Sequence, residues 1–401
     1  MPELEQLLDD AVAGRKMPFA VGAVATREGI AWEGGAGDAA PGLSAGPDTV
    51  MRVVSMTKAI GTAAVLMVID NGLLDLETPV ASVLPEFADL PVLEDIGPGG
   101  PVLRPQRTAC TLRHLLTHTS GLAYEAFHAK QAAHAKLPGA PDILGGTKES
   151  LHFPLMFDPG TDFVYGMSTD WAGRMVEEVD GRRMDRILRE ELFDPMGMSS
   201  TTFELGSLKD RGADVLYRTD DGGFGPLDWT PPSNPDVYCV GHALYSTARD
   251  YLTFLRMLLR GGELDGRRYL SQSAITLMSE SQTDIRPVFA PVQPEVSAPV
   301  DLFPAGTPQS WTAAFLRNDT DIPERRAAGS LCWAGFLNTH CWADPATGLA
   351  AVLMTQNLPF CDPGYMEAYI DFERAAYRRF APSAGAGSGE GRSGRRPVGT
   401  T

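Results

Sequence analysis

The chain has 401 residues, of which 43% are hydrophobic and 21% are charged. This composition is typical of a folded globular protein and excludes a disordered or fibrous chain. Its 51 acidic residues outnumber its 34 basic ones, and the formal net charge of −17 argues against a nucleic-acid partner. The chain begins with an acidic amphipathic segment and has no run of 18 apolar residues, so we expect a cytoplasmic protein with no membrane partner.

The first predicted elements are a helix and a hairpin. Leu4, Leu7, Leu8 and Val12 recur at helical spacing. Two runs rich in strand-forming residues then follow, on either side of a turn at 27–29.

The middle of the chain is predicted to be mainly helical. The predicted helices lie at 56–70, 111–118, 171–179, 186–192 and 250–259. The first of these is closed by Asn71 and Gly72. Two segments, 125–150 and 283–310, are too long to be ordinary connections, and we interpret both as loops over a cleft.

The C-terminal part returns to strands. Four strand-like runs, at 311–316, 327–333, 338–343 and 349–355, precede a predicted helix at 363–380. Strands from the two ends of the chain are expected to share one sheet. The predicted domains are therefore a discontinuous sheet domain formed by 1–70 and 290–382, a helical domain at 71–289, and a disordered tail at 383–401.

The sequence predicts neither a disulfide framework nor a metal site nor a cofactor. Five scattered cysteines without C-x-x-C spacing are expected to be reduced and buried. His114 and His118 are four residues apart, as zinc ligands on a helix can be, but no H-E-x-x-H motif accompanies them. No oligomeric state is predicted.

The sharpest local feature is Ser55-Met56-Thr57-Lys58 at the start of an apolar helix. A spacing of three places the Lys58 amine one helical turn from the Ser55 hydroxyl, on the same face. A serine hydroxyl is a weak nucleophile, and a lysine whose charge is disfavoured by burial can accept its proton. A capping serine beside a solvated lysine is the alternative interpretation of the pair.

Two further features support a catalytic site. Tyr165 lies between a Pro-Gly turn and a predicted helix, where a phenol close to Ser55 and Lys58 could relay a proton, although most such tyrosines are packing residues. Trp333, Ala334 and Gly335 precede Phe336, and small residues there would let a backbone N–H reach a bound carbonyl. Together with the Ser55 N–H, this would form an oxyanion hole.

These features, in this order, resemble the serine β-lactamase and penicillin-binding-protein superfamily, in the class C-like branch of the family VIII carboxylesterases and the lovastatin-type acyltransferases. The resemblance covers nearly the whole chain, and it rests on TLRHLLTHTSGL (111–122), the block at 158–181, ELFDPMGMSSTTF (191–203), the run at 241–259 and WADPATGLAAVLMTQ (342–356). It implies a β-lactamase/transpeptidase-like fold of the α/β plus all-α class, in which an antiparallel sheet from both chain ends is flanked by helices and carries an inserted helical domain.

The resemblance also implies roles for individual residues. Ser55 would be the acyl-enzyme nucleophile, Lys58 its base partner, and Tyr165 the tyrosine of the Tyr-x-Asn element. Met167 stands where that element has its asparagine, and the triplet Trp333-Ala334-Gly335 stands where β-lactamases carry Lys-Thr-Gly. The loss of that ammonium favours a neutral, apolar acyl substrate over a β-lactam.

The sequence therefore predicts a serine hydrolase on small or medium carboxylic esters, with acyl transfer as a further activity. Its expected partners are small-molecule ester or acyl substrates, contacted by Trp333, Gly335, Met167 and His242. Two alternatives stay open: a β-lactamase, D-aminopeptidase or amide hydrolase of the same superfamily, and a non-catalytic protein that binds acyl ligands on this scaffold.

Overall fold

Strands from both ends of the chain meet in one sheet. The computed structural model describes residues 3–300 and 302–381, and the predicted disordered tail at 383–401 lies outside these residues. The strands are β1 (Ala20–Ala25), β2 (Ile30–Ala36), β3 (Asp38–Ala40), β4 (Leu43–Ser44), β5 (Met51–Arg52), β6 (Val92–Gly97), β7 (Gly100–Arg104), β8 (Leu216–Arg218), β9 (Phe224–Pro226), β10 (Tyr245–Ser246), β11 (Glu263–Leu264), β12 (Arg267–Arg268), β13 (Gln309–Trp311), β14 (Leu316–Asn318), β15 (Leu331–Gly335), β16 (Thr339–Asp344), β17 (Leu349–Met354) and β18 (Asn357–Leu358).

The main sheet has seven strands in the order β13-β14-β15-β16-β17-β1-β2, and every neighbouring pair is antiparallel. The N-terminal hairpin joins the C-terminal strands where β1 pairs with β17, with Val21 opposite Met354. The predicted strand at 311–316 is wrong in its extent. Residues 312–315 form a turn between β13 and β14, in which the Thr312 hydroxyl accepts hydrogen bonds from the amides of Ala314 and Phe315.

The helices are α1 (Leu4–Ala13), α2 (Thr57–Asp70), α3 (Val80–Val83), α4 (Leu112–Leu116), α5 (Ala129–His134), α6 (Ser168–Asp180), α7 (Met184–Leu188), α8 (Asp194–Met196), α9 (Ala248–Leu259), α10 (Gln272–Ser279) and α11 (Pro363–Phe380). The predicted helix at 186–192 is interrupted, because α7 ends at Leu188 and a π-helical turn, Arg189–Phe193, follows it. Across the described residues, no helix combines the length and the apolarity needed to cross a membrane.

Helices cover both faces of the sheet. On β2, the Trp32 ring lies 5.8 Å from the Phe372 ring of α11, whereas Glu33 pairs with Arg249 of α9. Consecutive residues of a strand point to opposite faces, so α11 and α9 lie on opposite sides. This accounts for the burial of β1, β16 and β17 at every position.

Helix α2 is buried around most of its circumference, as expected of a helix that is apolar all round. It contacts α6 and α10, and a Cβ on Gly61 would lie only 2.5 Å from the Val240 side chain. The glycine therefore lets the segment around Val240 approach the first turns of α2.

The domain boundaries of the sequence analysis stay a prediction. The two predicted domains are in contact at several elements. Helix α2 of the sheet domain contacts α6 of the helical domain, and α9 of the helical domain contacts β1 and β17 of the sheet.

Candidate active site

Ser55 is held at the junction between the sheet and helix α2. It lies in a single 3-10 turn, Val54–Met56, that leads directly into α2. The amide of Val53 donates a hydrogen bond to the Leu244 carbonyl over 3.0 Å, next to the pairing of β5 with β10. Val54 has a φ of 44°, which is unfavourable for a β-branched residue and is typical of functional sites. The strained turn places Ser55 at the wall of a cavity.

Lys58 lies one helical turn after Ser55 and is fully buried. Its Nζ donates to Ser55 Oγ at 3.5 Å, to the Tyr124 hydroxyl at 3.0 Å and to the Gly241 carbonyl at 2.8 Å. An ammonium has three protons, so these three acceptors satisfy it. Ser55 and Lys58 therefore lie side by side, as the spacing predicts. The burial of Lys58 excludes the alternative interpretation of a capping serine beside a solvated lysine.

Burial sets the proton affinity of Lys58. Loss of solvation lowers the pKa of its amine to about 7, against the opposing influence of the negative charge on Asp170. A base with a pKa near neutrality is suited to accept a proton at physiological pH. The Ser55 hydroxyl, 3.5 Å from Lys58 Nζ on the cavity wall, is a group from which Lys58 could take one.

Tyr165 is buried beside this pair. The Lys58 Nζ lies 4.7 Å from the centroid of its ring, and Tyr165 lines the same cavity as Ser55. The phenol oxygen also accepts a hydrogen bond from the Trp333 indole over 3.1 Å. Burial raises the pKa of Tyr165, so the phenol stays protonated and is available as a proton donor.

Tyr124 is a site residue that the sequence analysis missed. It lines the cavity, and its hydroxyl contacts Lys58 directly. Burial raises the pKa of Tyr124 well above its ordinary value. Its amide donates to the Tyr165 carbonyl over 3.1 Å, which ties the two tyrosine segments together. The residue follows the quoted phrase 111–122, but a lone tyrosine there carries no signal that distinguishes it from a packing residue.

Asp170 and Gly241 were also missed. Asp170 is buried in the first turn of α6, and its Oδ1 accepts a hydrogen bond of 2.6 Å from the Gly241 amide. Cys239 and His242 lie beside Asp170, with candidate ligand atoms within 4.8 Å of one another. The three could be read as metal ligands, but the neighbouring Lys58 ammonium opposes a second cation there.

The structure changes the placement of two predicted substrate contacts. Trp333 lies behind Tyr165, packed against the Trp311 ring at a centroid distance of 4.7 Å, and it supports the phenol from outside the cavity lining. Met167 caps the start of α6, is 1% exposed and faces a neighbouring pocket.

The other predicted contacts lie closer to Ser55. A Cβ on Gly335 would lie 2.3 Å from the Val53 carbonyl oxygen, so this glycine lets the end of β15 approach the Ser55 turn. Phe336, the next residue, lines the cavity, as does His242. Burial lowers the pKa of His242 to about 3, and its imidazole is therefore neutral.

The cavity at Ser55 has a volume of about 370 Å³ and is lined mainly by apolar side chains. Both long segments predicted to cover a cleft contribute to its wall, 125–150 through Phe127, Ile143 and Leu144, and 283–310 through Gln293 and Val296. Such a volume is suited to a small organic ligand.

The histidine pair His114 and His118 has a structural explanation. His114 Nδ1 accepts a hydrogen bond from the Thr111 amide and closes the cap of α4. His118 is buried between aromatic rings, 4.7 Å from that of Tyr165 and 5.0 Å from that of Trp311. The His114 imidazole therefore caps a helix, and that of His118 packs among aromatic rings.

A second serine lies in a pattern associated with nucleophiles. Residues 42–46 read Gly-x-Ser-x-Gly, the spacing of a nucleophile elbow between a strand and a helix. In the structure, Ser44 belongs to the short hairpin of β3 and β4, and its hydroxyl donates to Asp38 Oδ1 over 3.3 Å. It does not lie in a strand-to-helix turn and has no basic partner among the described residues, so Ser44→Ala is a suitable control.

Comparison with known proteins identifies the family to which the chain belongs. The Beta-lactamase family model matches residues 4–375. The chain is 32% identical to the acyltransferase calJ of Penicillium decumbens over 79% of this chain and 78% of that protein. It is 33% identical to a lovastatin esterase of Penicillium rubens over 53% and 55% of the two chains.

Among solved structures, the unliganded simvastatin synthase of Aspergillus terreus superposes with a TM-score of 0.82 and 27% identity, covering 94% of this chain and 98% of that one. The fold is thus the β-lactamase/transpeptidase-like fold, as the sequence predicts. The buried Ser55–Lys58 pair, the flanking tyrosines and the family match over almost the whole described chain lead to one conclusion. The chain belongs to the Beta-lactamase family, and the relatives it matches include an acyltransferase and an esterase.

Proposed function

We propose that this protein is a serine hydrolase that forms an acyl-enzyme at Ser55, cleaves small or medium carboxylic esters, and also transfers the acyl group to an alcohol or amine. The observation that carries the proposal is the contact of 3.5 Å between Lys58 Nζ and Ser55 Oγ at the wall of an apolar cavity. A nucleophile beside a buried base is the arrangement that acyl transfer requires.

Acylation begins with the neutral form of Lys58. Its amine takes the Ser55 proton as Oγ attacks the ester carbonyl, and the carbonyl oxygen gains the negative charge. The backbone N–H groups of Ser55 and Phe336 stabilise this oxyanion. The C–O bond to the leaving group then breaks, and the leaving oxygen receives a proton from Tyr165, which recovers it from Lys58.

Deacylation repeats these steps with a different nucleophile. Water, an alcohol or an amine loses a proton to the Lys58 and Tyr165 pair as it attacks the acyl carbon. The bond between the acyl carbon and Ser55 Oγ then breaks, and Oγ receives that proton from the Lys58 and Tyr165 pair. The choice between hydrolysis and transfer therefore depends on which acceptor reaches the acyl-enzyme in the cavity.

The cavity supports neutral, apolar acyl groups as substrates. Its wall is dominated by side chains such as Phe127, Ile143, Val296 and Phe336. The position at which family β-lactamases offer an ammonium to a substrate carboxylate is occupied by Trp333, which packs behind Tyr165. Efficient turnover of a β-lactam is therefore not expected.

We further propose a cytoplasmic location. Cys110, Cys239, Cys332 and Cys341 are buried thiols, as expected of a protein kept in a reducing compartment. Fractionation of the native host cells would test this, and recovery of the protein outside the cytoplasm would contradict it.

The test of the proposed function is hydrolysis of p-nitrophenyl esters from acetyl to dodecanoyl, measured beside a chromogenic cephalosporin. We expect rapid ester cleavage with little cephalosporin turnover, abolished in Ser55→Ala and retained in Ser44→Ala. Cephalosporin turnover in place of ester cleavage would identify the β-lactamase alternative. A wild-type protein that is inactive on both substrates but binds an acyl ligand would favour the non-catalytic alternative.

A further inference from the structure

Asp170 is a buried carboxylate for which the acylation steps above give no role. Its side chain is fully shielded from solvent, and Oδ2 has no hydrogen-bond partner among the described residues. Leaving a carboxylate ionised in such a place is unfavourable unless a positive charge compensates it. The cation that interacts with it is Lys58.

Gly241 connects the two charged groups. Its amide donates to Asp170 Oδ1 over 2.6 Å, and its carbonyl accepts from Lys58 Nζ over 2.8 Å. A Cβ on this residue would lie 2.5 Å from Asp170 Oδ2, so a glycine is required for the carboxylate to approach this closely. Asp170 therefore holds the Gly241 backbone in place, and the Gly241 carbonyl in turn positions the Lys58 amine.

The other titratable groups around Lys58 carry no charge near neutral pH. Burial lowers the pKa values of His118 and His242 and raises those of Tyr124, Tyr165 and Cys239. The imidazoles are thus neutral, and the phenols and the thiol are protonated. Asp170 is the group whose ionised form opposes the loss of the Lys58 proton.

We propose that Asp170 is a positioning residue for Lys58: through Gly241 it holds the amine within reach of Ser55, and its charge strengthens the hold of that amine on a proton. The inference rests on the proposed function, because it assigns Lys58 the role of base. Asp170 is not among the residues that line the cavity at Ser55. Its effect on turnover is exerted through the position and the basicity of Lys58.

The test is the pH profile of kcat/KM for Asp170→Asn. Asparagine keeps an oxygen for the Gly241 amide and removes the charge, so Lys58 should lose its proton more readily. We expect the acid limb of the profile to move to lower pH by about one unit or more. The plateau should also fall, since a weaker base takes the Ser55 proton more slowly.

Asp250→Asn is the matched control. Asp250 is also a buried carboxylate in the first turn of a helix, and it accepts hydrogen bonds from the Ser200 amide at 2.8 Å and the Thr201 hydroxyl at 3.0 Å. This variant should lose stability without any shift of the acid limb. A shift in Asp170→Asn alone would support the inference.

Gly241→Ala provides a second route if Asp170→Asn does not fold. Its methyl group should displace the carboxylate from the lysine and move the limb in the same direction. If an active Asp170→Asn or Gly241→Ala variant has the same acid limb as the wild type, the inference is overturned. The proposed function would still stand in that case. A wild-type enzyme without Ser55-dependent turnover would instead overturn both.

Discussion

The indole N–H of Trp333 donates a hydrogen bond of 3.1 Å to the phenol oxygen of Tyr165. Because the oxygen accepts this bond, its own proton is left for a partner in the cavity that Tyr165 and Ser55 both line. The tryptophan therefore orients the phenol from behind the site. The sequence analysis did not predict this role for Trp333, and its assignment as a substrate contact stays a prediction.

Trp333→Phe tests this orientation. The substitution keeps an aromatic ring and removes one hydrogen bond worth about 1 kcal/mol, which corresponds to about a fivefold loss of kcat with KM little changed. The matched control is Trp311→Phe, whose indole donates instead to the Leu116 carbonyl over 3.0 Å. Equal kcat values in Trp333→Phe and the wild type would contradict the account.

Tyr124→Phe tests the residue that sequence analysis missed. The variant removes one of the three acceptors of Lys58 while retaining the ring. We expect kcat/KM to fall about tenfold, and by about a hundredfold or more in Tyr165→Phe, which loses the proton donor. Steady-state kinetics on one ester would measure both. The control is Tyr269→Phe, because the Tyr269 hydroxyl donates to the Pro195 carbonyl. If the kinetics of Tyr124→Phe match those of this control, the Tyr124 hydroxyl has no role in turnover.

The wild-type pH profile follows from the state of Lys58. The base form is the neutral amine, so kcat/KM should rise with pH through the Lys58 pKa of about 7. Because burial raises the pKa of Tyr165, the phenol keeps its proton as the amine loses its own, and the profile should reach a plateau above that midpoint. Initial rates corrected for spontaneous ester hydrolysis would measure it. A rate that is constant across the neutral range would contradict this assignment of the base.

Acyl-chain preference should depend on Val296, which lines the cavity from the segment 283–310. Val296→Phe adds volume in that wall, and we expect it to reduce turnover of octanoyl and longer esters while turnover of the acetyl ester is retained. Val288→Phe is the control, since Val288 lies on the same segment and is 63% exposed. An unchanged chain-length profile in Val296→Phe would place the acyl group elsewhere.

The sequence was sufficient for the sheet and for the central pair of residues. Strand patterns at both ends predict a shared sheet, and the spacing of Ser55 and Lys58 predicts their contact, because both depend on local periodicity. Segment 312–315 was assigned to a strand because a turn held by the Thr312 hydroxyl has no glycine or proline to mark it.

The remaining site residues depend on tertiary packing. Tyr124 lies 66 positions from Lys58 in the chain, and no periodicity links them. Gly241 contributes its backbone, which carries no signature of a lysine partner in the sequence. Asp170 lies within the block quoted at 158–181, but an aspartate at a helix N-terminus is ordinarily read as a favourable charge on the helix dipole. Its burial against Gly241 is visible only in three dimensions.

Acylation of Ser55 can be observed by intact mass spectrometry of the protein quenched in acid during turnover of a p-nitrophenyl ester, followed by peptide mapping. We expect a mass increase of one acyl group on the peptide that contains Ser55, present in Ser44→Ala and absent in Ser55→Ala. An acyl group on another residue, or ester turnover that persists in Ser55→Ala, would contradict it.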